Sequence, residues 1–244
     1  MHGLRGQVAV VTGGARRLGR SIALALAEAG CQLAITYRHS EDEALDTVAT
    51  ARRAGVQALA LRVNVADSSE VAQLLKSTLD AFGRLDILVA NAGSFRRTPL
   101  AGVTEADWDE MMTDNLRSAF LCAHRFGTHM QVHGSGAIVT LADVAGLRPW
   151  ADYLPYSIAK ACVMALTQAL AQELAPMVRV NAIAPGPVLF PDQYDPALRA
   201  REIKRTLLGR QGQPSNIADA VLALVGNDYI TGVILPVDGG RLLS

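Results

Sequence analysis

A doubly wound α/β domain, one parallel sheet with helices on both faces, is the fold this sequence predicts. Three observations predict it. Short apolar runs alternate with helix-patterned segments from one end to the other. No repeat or low-complexity linker divides the 244 residues, so one domain over 1–244 is expected. Hydrophobic residues make up 50% and charged residues 19%, which suits a deep interior. Parallel strands are joined by crossover helices and buried on both faces, so they show near-continuous apolar runs.

The elements follow in order. Strands are expected at 8–12, 33–37, 58–63, 87–90, 137–141, 178–183 and 232–237, each a short apolar run. Helices are expected between them at 18–29, 41–53, 68–82, 105–130, 153–174 and 214–224. Gly134-Ser135-Gly136 marks a helix-to-strand turn. The least regular stretch, 185–210, is rich in Pro, Asp and Arg, and a lid over the substrate side is expected around 186–210.

Composition excludes several functions. The 23 basic and 23 acidic residues cancel, which argues against nucleic acid or an anionic membrane as the main partner and permits self-association. No apolar run approaches the roughly 20 residues needed to span a bilayer. Residues 1–6 lead straight into the first strand without the layout of a signal peptide. Cys31, Cys122 and Cys162 are expected to be buried free thiols in a reducing, cytoplasmic compartment.

The first strand runs into Thr12-Gly13-Gly14-Ala15-Arg16-Arg17-Leu18-Gly19 and then a helix. Glycines at that junction let backbone N–H groups at a helix N-terminus approach a pyrophosphate, although the spacing differs from G-x-G-x-x-G. The second strand ends in Tyr37-Arg38-His39-Ser40. An acidic residue there would hold the ribose 2′-OH of NAD; Arg38, His39 and the Ser40 hydroxyl instead suit the 2′-phosphate of NADPH. Ser40 followed by Glu43 also reads as a helix capping box.

Tyr156 and Lys160 are four residues apart in a segment without Gly or Pro, so they share a helix face. An ammonium beside a phenol favours the phenolate and lets the tyrosine exchange a proton near neutral pH. Asp143 lies thirteen residues before Tyr156.

Together these marks resemble the short-chain dehydrogenase/reductase family over nearly the whole chain. They are Thr12-Gly13 with Gly19, Asn91-Ala92-Gly93, Asn115 in a helix, Tyr156 with Lys160, Asn181, Pro185-Gly186, and Val237-Asp238-Gly239-Gly240. The resemblance implies a Rossmann fold and a nicotinamide cofactor. It implies cofactor contacts from Gly13, Arg16, Arg17, Leu18, Gly19, Tyr37, Arg38, His39, Ser40, Asn64, Val65, Asn91, Ala92, Gly93, Lys160, Pro185, Gly186 and Val188. Asn64-Val65 stands where the family usually has Asp-Val against adenine, and an amide still pairs with that base. Asn115 would maintain a water-linked proton relay through Lys160.

Arg17 and Asp143 depart from the family's usual glycine and serine. With Asn91-Ala92-Gly93-Ser94-Phe95-Arg96-Arg97-Thr98-Pro99-Leu100 they look like the pteridine reductases and the dihydromonapterin reductases. That likeness implies Phe95 stacking on a pterin, Arg17 reaching cofactor phosphate and substrate, and Tyr153 lining the pocket. Gly93 replaces a serine of the parasite enzymes, and Arg38-His39 reverses their His-Arg order. An ionised carboxylate accepts hydrogen bonds only and would repel a developing alkoxide, so Asp143 suits a substrate with N–H groups or ring nitrogens to protonate. Kept protonated by burial, it becomes a proton donor itself.

The expectation is an NADPH-dependent reduction of a dihydropterin, with Phe95 and the nicotinamide enclosing the ring. Asp143, Tyr156, Lys160 and Asn115 manage protons, and Arg17, Phe95, Asp143, Tyr153 and Tyr156 meet the substrate. The alternative is an NADPH-dependent reductase of another carbonyl substrate, a 3-oxoacyl thioester, a sugar or a diketone. Trp150 and the 193–210 region are expected to set which side chain is accepted. No metal is expected: His129 and His133 have metal-ligand spacing without a third ligand. The apolar residues Leu116, Phe120, Met164 and Leu170 of the two long helices exceed what one packed face requires, and the resemblance implies a homotetramer with these helices at a two-fold interface.

Overall fold

In the computed structural model, which describes residues 3–190 and 194–244, seven strands form one all-parallel sheet in the order β3-β2-β1-β4-β5-β6-β7. The strands are β1 (Val8–Val11), β2 (Gln32–Tyr37), β3 (Ala58–Arg62), β4 (Ile87–Ala90), β5 (Gly136–Leu141), β6 (Val178–Pro185) and β7 (Ile234–Val237). The helices are α1 (Arg17–Glu28), α2 (Glu41–Arg53), α3 (Ser68–Phe82), α4 (Glu105–Met111), α5 (Ser118–Val132), α6 (Val144–Leu147), α7 (Leu154–Glu173), α8 (Pro196–Lys204) and α9 (Pro214–Gly226). The order reverses between β1 and β4, where the crossovers leave a crevice at the strands' carboxyl ends.

Each face of the sheet has its own core. Ala9, Val11, Ile35 and Val89 point toward α1, α2 and α9, and Ile22, Leu26, Val48 and Val221 meet them there. Val10, Leu88, Ile138 and Val180 point the other way, onto Leu74, Phe126 and Leu170 of α3, α5 and α7. Alternate strand residues serve opposite faces, and both faces are covered, so β1 and β4 are buried throughout. Truncating Ile22 or Leu26, both without solvent exposure, to alanine costs about 2–5 kcal/mol.

The structure amends the expected elements in four places. The single helix expected over 105–130 is α4 and α5 joined by a π-helical segment, Met112–Arg117, that contains Asn115. The stretch expected to be irregular contains α8, capped by the Asp195 carboxylate accepting the N–H of Leu198; the part at 191–193 lies outside the described residues. Asp143 caps the short helix α6 through the N–H of Ala145. Ser40 makes no side-chain capping bond at α2, so the capping box expected there is not formed.

Two further expectations change at the level of burial. Met164 and Leu170 are buried inside the domain, whereas Phe120 stays 44% exposed. Cys31 and Cys122 are buried as expected, but Cys162 is only partly so. Burial pushes the Cys31 and Cys122 thiols up to about 12. By length and composition α7 is apolar enough to cross a bilayer, yet more than half of it is buried inside the fold and it carries Lys160.

Candidate active site

The loop after β1 closes against the end of β4. Thr12 Oγ1 accepts the N–H groups of Asn91 and Ala92 at 3.0 and 2.9 Å, while Asn91 Nδ2 donates to the carbonyls of Thr12 and Gly13. The Asn91 side chain is thus spent on clamping the loop. A Cβ on Gly19 would lie 2.1 Å from the Gly13 carbonyl oxygen, so only glycine allows this approach. Arg17 occupies the left-handed region with φ 54, which the usual glycine of the family adopts at no cost; its guanidinium donates to the Leu189 carbonyl at 3.4 Å.

This loop bounds a cavity of about 360 Å³. Every expected cofactor residue from Gly13 to Gly93 lines it: Gly13, Arg16, Arg17, Leu18 and Gly19, the turn from Tyr37 to Ser40, Asn64 and Val65, and Asn91 to Gly93. Lys160, Pro185, Gly186 and Val188 do not line it. Lys160 Nζ sits beside Gly93, 3.7 Å from where a Cβ would be, and Gly186 donates to the Val237 carbonyl. Val188 lines a neighbouring cavity of about 340 Å³. Asp114, which sequence reasoning missed, also lines the first cavity, 3.8 Å from the exposed Arg38 guanidinium.

Asp143, Tyr156 and Lys160 come together at the carboxyl end of β5. The Tyr156 hydroxyl donates to Asp143 Oδ2 at 2.9 Å, and Lys160 Nζ donates to the Leu141 carbonyl at 2.8 Å. Tyr156 and Lys160 are buried. The residue Asp143 keeps some surface, but its carboxyl is turned inward, and desolvation raises its pKa against the Ala145 N–H, the Lys160 charge and the Tyr156 phenol. Burial brings Lys160 down to about 8, with Asp143 opposing.

Tyr156 departs from expectation. Its pKa is pushed up, by burial first and then by Asp143 as a negative neighbour and hydrogen-bond acceptor. Lys160 lies over the Tyr156 ring, 5.7 Å from its centroid, and the lowering expected from the ammonium does not prevail in this form. The reason is burial, to which the aspartate adds by favouring the neutral phenol as donor. Asn115 Nδ2 donates back to the carbonyl of Met111 at the end of α4, and its Oδ1 is buried without a partner, aimed at Gly93. A serine in place of Gly93 would put its Cβ 2.6 Å from that oxygen.

Aromatic rings wall the outer side. Phe95 stacks on Tyr153 at 4.8 Å and 19°, meets Tyr156 edge-on at 4.9 Å, and has Trp150 edge-on at 6.5 Å. Tyr194, inside the 193–210 region expected to set which side chain is accepted but not singled out there, meets Tyr153 hydroxyl to hydroxyl. The pairing has no local sequence signal, because the two residues lie forty-one apart. His129 and His133 stack on each other at the end of α5, and no group of three metal-ligating residues occurs among the described residues.

Comparison with known proteins places the chain more firmly. A family model described as enoyl-(acyl carrier protein) reductase matches residues 13–241. A 3-oxoacyl-[acyl-carrier-protein] reductase of Synechocystis is 39% identical, with 100% of each chain covered. One from Staphylococcus aureus is 38% identical over 96% of this chain and 98% of its own. The solved structure of a dehydrogenase/reductase from Sinorhizobium meliloti superposes with a TM-score of 0.89 at 34% identity, covering 97% of this chain and 95% of that one. The Synechocystis and Staphylococcus aureus relatives carry 3-oxoacyl reductase names, and the pteridine subgroup expected from the sequence gains no support from any of these proteins.

Proposed function

The chain belongs to the short-chain dehydrogenase/reductase family, and from that premise we propose an NADPH-dependent reductase whose substrate is a pterin, taken from dihydropterin to tetrahydropterin. The observation that carries the reading is the Asp143 carboxyl, bonded to the Tyr156 phenol beneath the Phe95–Tyr153 aromatic wall. A flat heterocycle suits a wall of parallel rings. A carboxyl held where the family has a hydroxyl suits ring nitrogens better than a carbonyl oxygen.

The residues present fit a dinucleotide. The glycine cradle at Gly13 and Gly19, the cation at Arg38 and the partnerless Asn115 Oδ1 beside Lys160 are the supporting observations. The Gly13–Gly19 loop would hold the pyrophosphate, Arg38, His39 and Ser40 the 2′-phosphate, Asn64 and Val65 the adenine, and Lys160 the nicotinamide ribose. When bound, a reduced nicotinamide supplies the hydride. The Tyr156 hydroxyl donates to Asp143 Oδ2, and burial raises the pKa of both groups. Either delivers the proton that a ring nitrogen gains as its neighbouring carbon gains hydride. Lys160, largely protonated at neutral pH, then favours proton release from Tyr156, and Asn115 Oδ1 offers an acceptor for a water that returns a proton from solvent. The described parts of the expected lid, 186–190 and 194–210, would cover the substrate side.

A second reading, reduction of a 3-oxoacyl thioester, is favoured by the names of the relatives, and on substrate class those comparisons weigh on its side. Asp143→Ser separates the two. Pterin turnover is expected to fall by about 10²–10⁴ with loss of the acid, while activity on a simple diketone survives or rises. Steady-state kcat/KM on a dihydropterin, a diketone and a 3-oxoacyl thioester measures this. Intact pterin reduction in the variant, or wild-type preference for either carbonyl substrate, overturns the pterin reading and leaves the reductase.

A homotetramer is proposed on the same footing. Phe120 on α5 and Trp108 on α4 stay 44% and 41% exposed and await cover. A light-scattering mass near the 25.9 kDa of one chain would remove that reading.

A further inference from the structure

The cavity bounded by the glycine loop is lined by cations with one exception. Arg16, Arg17 and Arg38 line it together with His39, and among the described residues Asp114 is the one acidic side chain in that lining. Asp114 comes from the π-helical segment Met112–Arg117, far along the chain from those cations. Single π turns inside longer helices recur at functional sites. Here two consecutive residues of the turn serve two places. Asn115 is buried with its Oδ1 facing Gly93, while Asp114 lines the cavity with 23% of its side chain exposed.

The segment that carries Asp114 is fixed on both sides. The Asp114 carbonyl accepts the Ser118 hydroxyl at 2.6 Å, and Arg117 Nε donates to the Ala66 carbonyl at 3.1 Å. The second bond ties the segment to the loop after β3, and both Ser118 and Ala66 line the same cavity. Arg38, just after β2, brings its Nη1 to 3.8 Å from Asp114 Oδ1. Among the described residues Asp114 is the one ionic partner of Arg38. The Arg38 side chain is 58% exposed, so the pair is open to solvent and exchanges easily.

Arg38 is also the cation proposed above for the 2′-phosphate. A guanidinium has five donors, but two anions gathered on it lie close together and repel each other. We infer that Asp114 is a specificity-determining residue of the cofactor site. Its carboxylate competes with the 2′-phosphate for Arg38 and repels that phosphate, and so holds down the preference for NADPH over NADH. A cofactor with a 2′-hydroxyl neither displaces Arg38 nor meets the repulsion. The inference rests on the NADPH reading for the place of the 2′-phosphate.

The test is a fluorescence titration of NADPH and NADH into wild type, Asp114→Asn, Arg38→Ala and the double variant. Asparagine keeps the shape of aspartate and removes its charge. NADPH is expected to bind Asp114→Asn about two- to fivefold more tightly than wild type, the size of one exposed ion pair, with NADH unchanged. That gain should shrink as salt is raised, because both side chains are open to solvent. In the Arg38→Ala background the same substitution should gain less, since the shared cation is gone. An unchanged ratio of NADPH to NADH affinity overturns the inference. So does an equal loss on both cofactors, which would make Asp114 a contact to their common part or a purely structural group. Equal affinity of wild type for the two cofactors ends the NADPH reading by itself. A ratio that then rises in Asp114→Asn keeps the role of Asp114, and a ratio that stays at one ends both.

Discussion

The two ends of the crevice recognise their ligands by different means. Around β1 to β4 the cavity is shaped by backbone: Gly13 and Gly19 pack against each other and Asn91, and Thr12 and Asn91 are consumed in holding that backbone still. Around β5 and β6 the lining is side chains, four aromatic rings and a buried carboxyl–phenol pair. A backbone cradle accepts any dinucleotide of the right shape, because a peptide N–H is the same in every residue. A side-chain wall changes its ligand with one substitution. Arg17 belongs to both, anchored in the glycine loop and bonded to the carbonyl of Leu189 beyond β6.

The contrast breaks most visibly at Tyr156. Removing its hydroxyl in Tyr156→Phe should cut kcat/KM by about 10²–10⁴ on every substrate while NADPH affinity, measured by fluorescence titration, stays within a few-fold. A parallel collapse in affinity would mean the two ends are not separable. Arg38→Ala should do the reverse. Losing a charge-assisted bond costs about 1.5–3 kcal/mol, so NADPH binding should weaken roughly ten- to a hundredfold with NADH unaffected. Equal wild-type affinity for both cofactors would end the NADPH assignment.

Gly19→Ala sharpens the backbone side. With a Cβ 2.1 Å from the Gly13 carbonyl oxygen, the loop must shift, and overpacking of this kind costs about 1–3 kcal/mol. Thermal unfolding should show a lower Tm together with weaker NADPH binding. A variant of unchanged Tm and affinity would show that the loop relaxes freely. The smallest effect concerns Lys160, which burial brings down to about 8. As pH rises from 7 to 9 its charge is lost, and NADPH affinity should decline a few-fold, a decline absent in Lys160→Met. Its stability contribution runs the other way. Between about 8 and its ordinary value of 10.5 the unfolded chain binds more protons, so this group adds stability as pH rises through that window. A stability that falls there in wild type relative to Lys160→Met would contradict the lowered value.

Much of this was legible from residue order. The apolar runs placed all seven strands to within two residues at each end, because strands buried on both faces leave an unbroken apolar signature. Tyr156 and Lys160 were legible through helical spacing, and the glycine loop through its place between a strand and a helix. The π-helical segment at Asn115 was not, since it inserts one extra residue per turn without changing the apolar pattern over 105–130. Helix α8 was hidden because none of its residues is buried, so it carries no core-facing stripe.

What the sequence alone determined is therefore the sheet, the crevice and the identity of the residues gathered at its mouth, because these follow from periodicity and local spacing. Only the tertiary structure decided how those residues act on one another. It buried Tyr156 and set Asp143 against it, so that the phenol is held neutral where the lysine alone would have favoured its anion. It turned Met164 and Leu170 inward, and it brought Tyr194 to Tyr153 across forty-one residues. Desolvation and long-range contact are properties of the packed interior, and spacing along a chain does not encode them.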